Sequence, residues 1–197
     1  MLIKRVFDFI AALAGLIFLA PLFLIVACWI KLDSDGPVFF RQQRVGRYGV
    51  PFYIFKFRTM AVDTESKSQI TVGNDARITG AGNFLRRYKI DELPQLINVL
   101  SGEMSLVGPR PEVPRYVACY PQDIREIVLS VTPGITDWAA IKYKDESNLL
   151  SLANNSEQTY IEVILPAKLE YYVRYVKERN FLTDLRIICS TLFAIVH

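Results

Sequence analysis

The chain has 197 residues, enough for one domain with a real core plus an appendage. Hydrophobic residues make up 51%, high for a soluble domain, and the excess sits mostly in the first thirty-odd positions. A net charge of +3 with no recognisable DNA- or RNA-binding motif argues against nucleic acid as a partner. Cys28, Cys119 and Cys189 are far apart, odd in number and form no Cys-x-x-Cys pair, so neither a disulfide framework nor a zinc ribbon is supported. His197 is the only histidine, which removes Ser-His-Asp and Cys-His chemistry. Catalysis, if there is any, falls to carboxylates, lysines, arginines, tyrosines or a hard metal.

From Phe9 to Ile30 no residue is charged, a run of about 22 residues or roughly 33 Å as a helix. That is long enough to span a bilayer and too long for a cleaved signal peptide. Basic residues stand on both sides: Lys4 and Arg5 before it, Lys31, Arg41, Arg44 and Arg47 after it. The charge bias that orients a spanning helix is therefore absent. Pro21 lies near the middle, where its missing N–H and its ring kink a helix. Two readings are open: a tilted single span with a kink, or a helix that enters, bends at Ala20-Pro21 and returns to the same face.

Asp33-Ser34-Asp35-Gly36-Pro37 reads as a linker. Residues 38–44 and 51–58 read as two strands around Gly46-Arg47-Tyr48-Gly49. Alternation predicts that Lys56 and Arg58 share a basic face opposite Phe55 and Phe57. That face is either a solvated surface or a contact for anionic headgroups or a substrate phosphate. From about Ala61 to Gly82 a polar surface loop is expected, after which Asn83 can cap a short helix carrying Phe84, Leu85, Arg86 and Arg87. Residues 93–100 read as a short buried helix that starts at or just before Asp91-Glu92, since Pro94 is tolerated only in a first turn. A further amphipathic stretch over 116–131 is broken by Pro121, and 137–143 is ambiguous between strand and helix. Residues 157–165 and 166–178 read as helical, the second with a stripe of Tyr171, Tyr172 and Tyr175 that is expected in the core. Residues 184–196 form a last apolar helix, too short to span, and interfacial or docked on the core.

Asp91-Glu92 has an ordinary explanation as acidic residues at a helix start, worth about 0.3–1 kcal/mol. Three features favour chemistry. A helix N-terminus that steadies a carboxylate also attracts phosphate. Arg86, Arg87 and Lys89 lie within two turns and can offset repulsion between an anionic nucleophile and an anionic phosphate. Arg110 is held between Pro109 and Pro111, so its backbone costs little further entropy to place. One carboxylate can attack phosphorus while its neighbour holds Mg²⁺. On the residues alone, a membrane-anchored binding or scaffold protein and a peripheral anionic-lipid binder remain as rivals.

Lys56-Phe57-Arg58-Thr59-Met60, the whole block from Leu85 to Leu100, Gly102 to Glu112, and Pro133-Gly134-Ile135-Thr136 resemble the bacterial sugar transferases. More narrowly, they resemble the small monotopic phosphoglycosyl transferases, nearly end to end. The resemblance implies transfer of a sugar phosphate from a UDP-sugar to polyprenyl (undecaprenyl) phosphate, with release of UMP, as a first membrane step of glycoconjugate assembly. It implies Asp91 as the nucleophile that carries a covalent phosphosugar. Glu92 would be its assistant, at Mg²⁺ or at the incoming phosphate, with Asp91 and Glu92 as the implied Mg²⁺ ligands. Arg86 and Arg110 are implied as phosphate contacts, with Pro109 and Pro111 framing the latter and Lys56 and Arg58 as further candidates. The fold implied is α/β, mostly α: a re-entrant membrane helix kinked at Ala20-Pro21 (1–32), then a compact catalytic domain (33–197) with a small β-hairpin and several amphipathic interfacial helices. Its place is the cytoplasmic face of a bacterial inner membrane, among membrane lipids, without nucleic acid and without an additional N-terminal membrane domain; a homodimer is compatible with it. Two departures from the family pattern, Asp137 in place of glycine and Tyr172 in place of a common aspartate, are expected away from the dyad, with consequences for nucleotide and sugar contacts.

Overall fold

A computed structural model describes residues 2–62 and 75–196. Most of the polar loop expected between Ala61 and Gly82 lies outside the described residues, as does His197.

Helix α1 (Leu2–Asp33) is, among the described residues, the one helix long and apolar enough to cross a membrane, and only 11% of its most apolar window is buried. Its few inward side chains recur every three or four residues, which lines them up on one face. Ala12, Leu16 and Leu19 pack on Phe52, Leu96 and Val99. Leu22, Phe23, Val26 and Ile30 pack on Phe57 and Leu85. The helix continues through Pro21, which sits with Ala20 on the bare face.

Both ends of α1 are fastened to the rest of the protein. Near the start, Lys4 Nζ meets Asp184 Oδ2 at 2.5 Å, and Ser105 Oγ donates to Asp8 Oδ2 at 2.7 Å. Arg5 donates to the Val99 and Leu100 carbonyls at 2.6 and 3.0 Å, satisfying a helix C-terminus whose last carbonyls lack helical partners. At the far end, Asp33 Oδ2 accepts the Ala81 N–H at 3.0 Å.

Strands β1 (Phe39–Val45) and β2 (Pro51–Phe57) form an antiparallel hairpin with Phe39 opposite Phe57 and Val45 opposite Pro51. Phe52 and Ile54 are buried beneath it, while Arg41 lies over the Tyr53 and Phe55 rings on the outer side. Helix α2 (Gly80–Arg87) starts earlier than expected. Its cap is Thr79, whose hydroxyl accepts the Gly82 N–H at 3.0 Å, aided by Asp33, and not Asn83. The glycines that read as loop are part of the helix because it crosses the backbone at Thr59: a Cβ on Gly82 would stand 2.1 Å from that carbonyl oxygen. A 3-10 turn (Ile90–Gln95) then leads into α3 (Leu96–Ser101), and Gly102 ends α3 at φ 89°.

Beyond α3 comes β3 (Ser105–Val107), then α4 (Pro114–Val117), α5 (Gln122–Leu129), β4 (Gly134–Thr136), α6 (Trp138–Lys142), α7 (Glu146–Ser151) and α8 (Ser156–Thr159). A π-helical turn (Tyr160–Ile164) runs into α9 (Leu165–Glu178), and α10 (Phe181–Val196) closes the chain. β3 and β4 pair in parallel, Val107 with Thr136. The second core joins α4 and α5 to α9 through Tyr116, Tyr120, Val128, Leu165, Leu169 and Tyr172. Tyr172 and Tyr175 are buried, as expected for a core stripe. The stretch 137–143 resolves as the helix α6. The result is a mostly helical α/β protein with, among the described residues, two small two-stranded sheets and one long apolar helix docked along its side.

Because Asp33 ties the end of α1 to the start of α2, Asp33→Ala is expected to cost about 1 kcal/mol. In a thermal unfolding scan that corresponds to a fall of about 2–4 °C.

Candidate active site

The site is built where β2, the 3-10 turn and the Gly108–Pro111 turn meet. Lys89 enters the 3-10 turn in the left-handed region (φ 56°, ψ 20°), a conformation that costs a side chain-bearing residue about 1–2 kcal/mol. This reversal points Asp91 and Glu92 back toward the hairpin. With about three residues per turn, the adjacent side chains diverge by roughly 120° and reach different surroundings.

Glu92 is gripped by two cations. Lys56 Nζ donates to Oε1 at 2.8 Å, while Arg110 donates from Nη1 to Oε2 at 3.0 Å and from Nη2 to Oε1. Burial pushes the Glu92 carboxyl up, but Arg110 and Lys56 outweigh it and hold it well below the usual carboxylate range. Burial is the main cause that lowers Lys56, with Arg110 and Arg44 adding to it and Glu92 opposing it. Charge from Glu92 raises Arg110 against its own burial. Asp91 has the opposite environment. It is buried, its Oδ1 has no hydrogen-bond partner, and its pKa is raised from 3.8, first by burial and then by Glu92. Lys56, Arg86 and Lys89 act on it through charge in the other direction without reversing the shift. Gln95 Nε2, in the same turn, is also buried without a partner.

Arg110 is placed by backbone bonds on both sides. The Gly108 N–H reaches the Thr136 carbonyl at 3.1 Å, and the Gly134 N–H reaches the Pro109 carbonyl at 3.0 Å. The two segments approach so closely that a Cβ on Gly134 would stand 2.0 Å from the Gly108 nitrogen. Arg44 Nη1 donates to the Pro111 carbonyl at 3.1 Å. Asp137 completes the clamp, with Oδ2 accepting the Arg110 N–H at 3.1 Å and Oδ1 capping α6 at the Ala140 N–H at 2.8 Å. Burial raises the Asp137 carboxyl.

Of the residues singled out by sequence, Asp91, Glu92, Lys56 and Arg110 come together here, with Pro109 and Pro111 framing the arginine and Arg86 within electrostatic reach of Asp91. Arg58 does not join them. It is buried at the end of the hairpin and donates to the Ser34 and Asp35 carbonyls, fastening the linker after α1. The expected pairing of Lys56 and Arg58 on one face fails because β2 ends at Phe57, before Arg58. Sequence reasoning missed Asn98, which accepts the Phe55 N–H at 3.0 Å and donates to the Tyr53 carbonyl at 2.8 Å, locking the hairpin to α3. No local pattern marks it.

As a metal site the dyad divides. Both Glu92 oxygens are occupied by cations, whereas Asp91 Oδ1 is open. Among the described residues no group of three or more His, Cys, Asp or Glu could hold a metal ion. One open carboxylate fits Mg²⁺, which usually keeps waters and takes few protein ligands.

The family model for bacterial sugar transferases matches residues 1–197. The chain belongs to the bacterial sugar transferase family. Within it, the chain is 39% identical over 98% of its length to a UDP-glucose:undecaprenyl-phosphate glucose-1-phosphate transferase of Escherichia coli, spanning 40% of that protein. It is 36% identical to a UDP-N-acetylgalactosamine-undecaprenyl-phosphate N-acetylgalactosaminephosphotransferase of Aeromonas hydrophila, with 98% of this chain and 44% of the relative aligned. An uncharacterized sugar transferase of Bacillus subtilis is 38% identical over 98% of this chain and 86% of its own length. The chain thus spans about two fifths of the first two relatives and most of the third.

The two departures from the bacterial sugar transferase pattern do not lie away from the dyad. Asp137 holds the backbone of the arginine that grips Glu92. Tyr172 is buried with its hydroxyl unpartnered, and burial first, then the neighbouring Asp137 charge, keeps that hydroxyl protonated. A clamp that spans four elements is invisible to sequence spacing, although Asp137 ahead of a short apolar run is a readable N-cap signal.

Two stability measurements check these charges. Glu92→Gln leaves Lys56 and Arg110 side by side and is expected to cost about 3 kcal/mol, the low end for breaking a buried pair. Asp91 behaves oppositely. Its folded pKa is raised, so its contribution to stability is complete below about pH 3.8 and is lost as pH rises through the folded value. Asp91→Asn should therefore match the parent in Tm near pH 4 and exceed it increasingly toward pH 7. Glu92, depressed, contributes fully above 4.5 and loses that contribution as pH falls through its folded value, a dependence present in parent and variant alike.

Proposed function

We propose that this chain transfers a sugar phosphate from a UDP-sugar to a polyprenyl phosphate at a membrane surface. The observation that carries the reading is the buried, unpartnered Asp91 Oδ1 beside a carboxylate already neutralised by Lys56 and Arg110. Undecaprenyl-phosphate sugar phosphotransferases among its relatives support the reaction class.

In this reading an Asp91 oxygen attacks the β-phosphorus of the UDP-sugar. The bond from that phosphorus to the bridging oxygen breaks, UMP leaves, and the sugar phosphate remains on Asp91 as an acyl phosphate. The terminal phosphate oxygen of the polyprenyl phosphate then attacks the same phosphorus, Asp91 departs as a carboxylate, and polyprenyl-diphosphate-sugar is released. A carboxylate with a raised pKa is a stronger nucleophile than an ordinary one, and an unpaired buried oxygen loses no hydrogen bond on attack. Arg86 and Lys89 supply positive charge near the donor diphosphate, and Arg110 keeps 25% of its side chain accessible while fixing Glu92. Mg²⁺, which Asp91 and substrate phosphate oxygens would hold, would supply Lewis-acid stabilisation of the charge that develops on the departing UMP phosphate. Glu92, with both oxygens engaged, serves this site by holding Lys56 and Arg110 in place.

The docking of α1 supports a re-entrant topology. Lys4, Arg5 and Asp8 at one end and Asp33 at the other bind the same protein body, so a straight span would drag that body through the bilayer. A helix that dips into one leaflet, with Pro21 on its lipid side, keeps both basic flanks at one face and the catalytic body in the cytoplasm. The boundary at residues 32–33 separates this element from the catalytic part. Reagent labelling of cysteines introduced at Leu2 and at Ser34 should come from the same side of sealed vesicles; labelling from opposite sides overturns the re-entrant reading.

For the chemistry, incubation with a UDP-sugar and no acceptor should add one sugar phosphate to the Asp91 peptide with equimolar UMP. Asp91→Asn should lower turnover by at least about 100-fold. An Asp91→Asn protein with full turnover would rule the nucleophile out.

A further inference from the structure

Three aromatic rings form a row on the outer surface that the catalytic chemistry does not use. Trp29, on the last turns of α1, stands 5.4 Å from Phe84 of α2, and Phe84 stands 4.8 Å from Tyr88 at the end of α2, centroid to centroid. They are 38%, 44% and 43% exposed, so none is a core residue. The opposite side of α2 is buried through Ala81, Gly82 and Leu85, which leaves the row facing outward. Arg87 lies over the Tyr88 ring at 5.7 Å.

We propose that Trp29, Phe84 and Tyr88 form the track on which the isoprenoid chain of the acceptor lies as it passes from the bilayer to Asp91. The proposal rests on the reaction assigned above. Two observations favour this occupant over bulk lipid. The row begins on the apolar membrane helix and leaves it: it runs along α2 and ends three residues before Asp91, whereas residues that merely anchor a helix at the interface belt its shaft. Its far end is also the basic end, with Arg86, Arg87 and Lys89 around Tyr88. A molecule with a long apolar tail and an anionic head matches that polarity, tail on the rings and phosphate among the cations. More than fifty residues, the hairpin among them, separate Trp29 from Phe84 in the chain, so the row exists because α1 docks on α2, through Asp33 at the Ala81 N–H and through Val26 and Ile30 beside Leu85.

The test compares two acceptors on the same protein: undecaprenyl phosphate and the short geranyl phosphate. Their ratio of kcat/KM cancels losses of folded protein and of chemistry. Phe84→Ala should lower the long-to-short ratio by about 10-fold, since the long chain covers more of the row than the short one. Tyr88→Ala, at an exposed helix end that tolerates truncation, should lower it in the same direction and serves if Phe84→Ala does not fold. An unchanged ratio overturns the track, whether both rates are unaltered or both fall together; the latter would show that the rings serve the bilayer or the fold. Failure of the parent protein to form the Asp91 adduct or turn over either acceptor would instead overturn the reaction itself.

Discussion

The grip of Lys56 and Arg110 on Glu92 is the interaction on which the rest of the site depends. It joins three segments far apart in sequence: the end of β2, the 3-10 turn and the Pro-Arg-Pro turn. A carboxylate between two partly buried cations is stable only with its partners in place, so each segment must be held independently. Asn98 does this for the hairpin, Lys89 in its left-handed conformation for the 3-10 turn, and the β3–β4 pairing with Asp137 for Arg110. The consequence is electrical. Two neighbouring carboxylates with the same intrinsic chemistry are driven in opposite directions, one locked as a charge and one left basic and open, which is how environment divides roles between paired acids.

The membrane helix enters the same scheme. Arg5 closes the end of α3, Asp8 and Lys4 form a buried cluster with Ser105 and Asp184, and Asp33 starts α2. α3 and α2 flank the 3-10 turn on either side, so the position of α1 along the body fixes the two elements from which the dyad hangs. A polar fastening at each end, with an apolar stripe between, fixes where the candidate site stands along α1.

Much of this was legible in the sequence where one residue type has one physical use. The uncharged run, the hairpin alternation, Pro94 in a first turn and the acidic pair gave the elements and the nucleophile candidate. Legibility failed wherever tertiary contact overrode local pattern. Gly80 and Gly82 read as loop, yet α2 needs a residue without Cβ to cross Thr59. Lys56 and Arg58 looked equivalent, yet the strand ends between them and one serves the dyad while the other fastens a linker. The strands β3 and β4 are too short for periodicity to show. Glu92 read as a metal ligand or helper, and only the three-dimensional position of Arg110 reveals that both its oxygens are taken.

The Asp91 carboxyl itself is the group to titrate, by its side-chain carbon resonance in the parent protein and in Glu92→Gln. If the two carboxylates divide as described, Asp91 titrates above its ordinary value of 3.8 in the parent, and its midpoint falls in Glu92→Gln, where the neighbouring negative charge is gone and Lys56 and Arg110 are released toward it. A midpoint that stays in place or rises on removing the Glu92 charge would contradict that division.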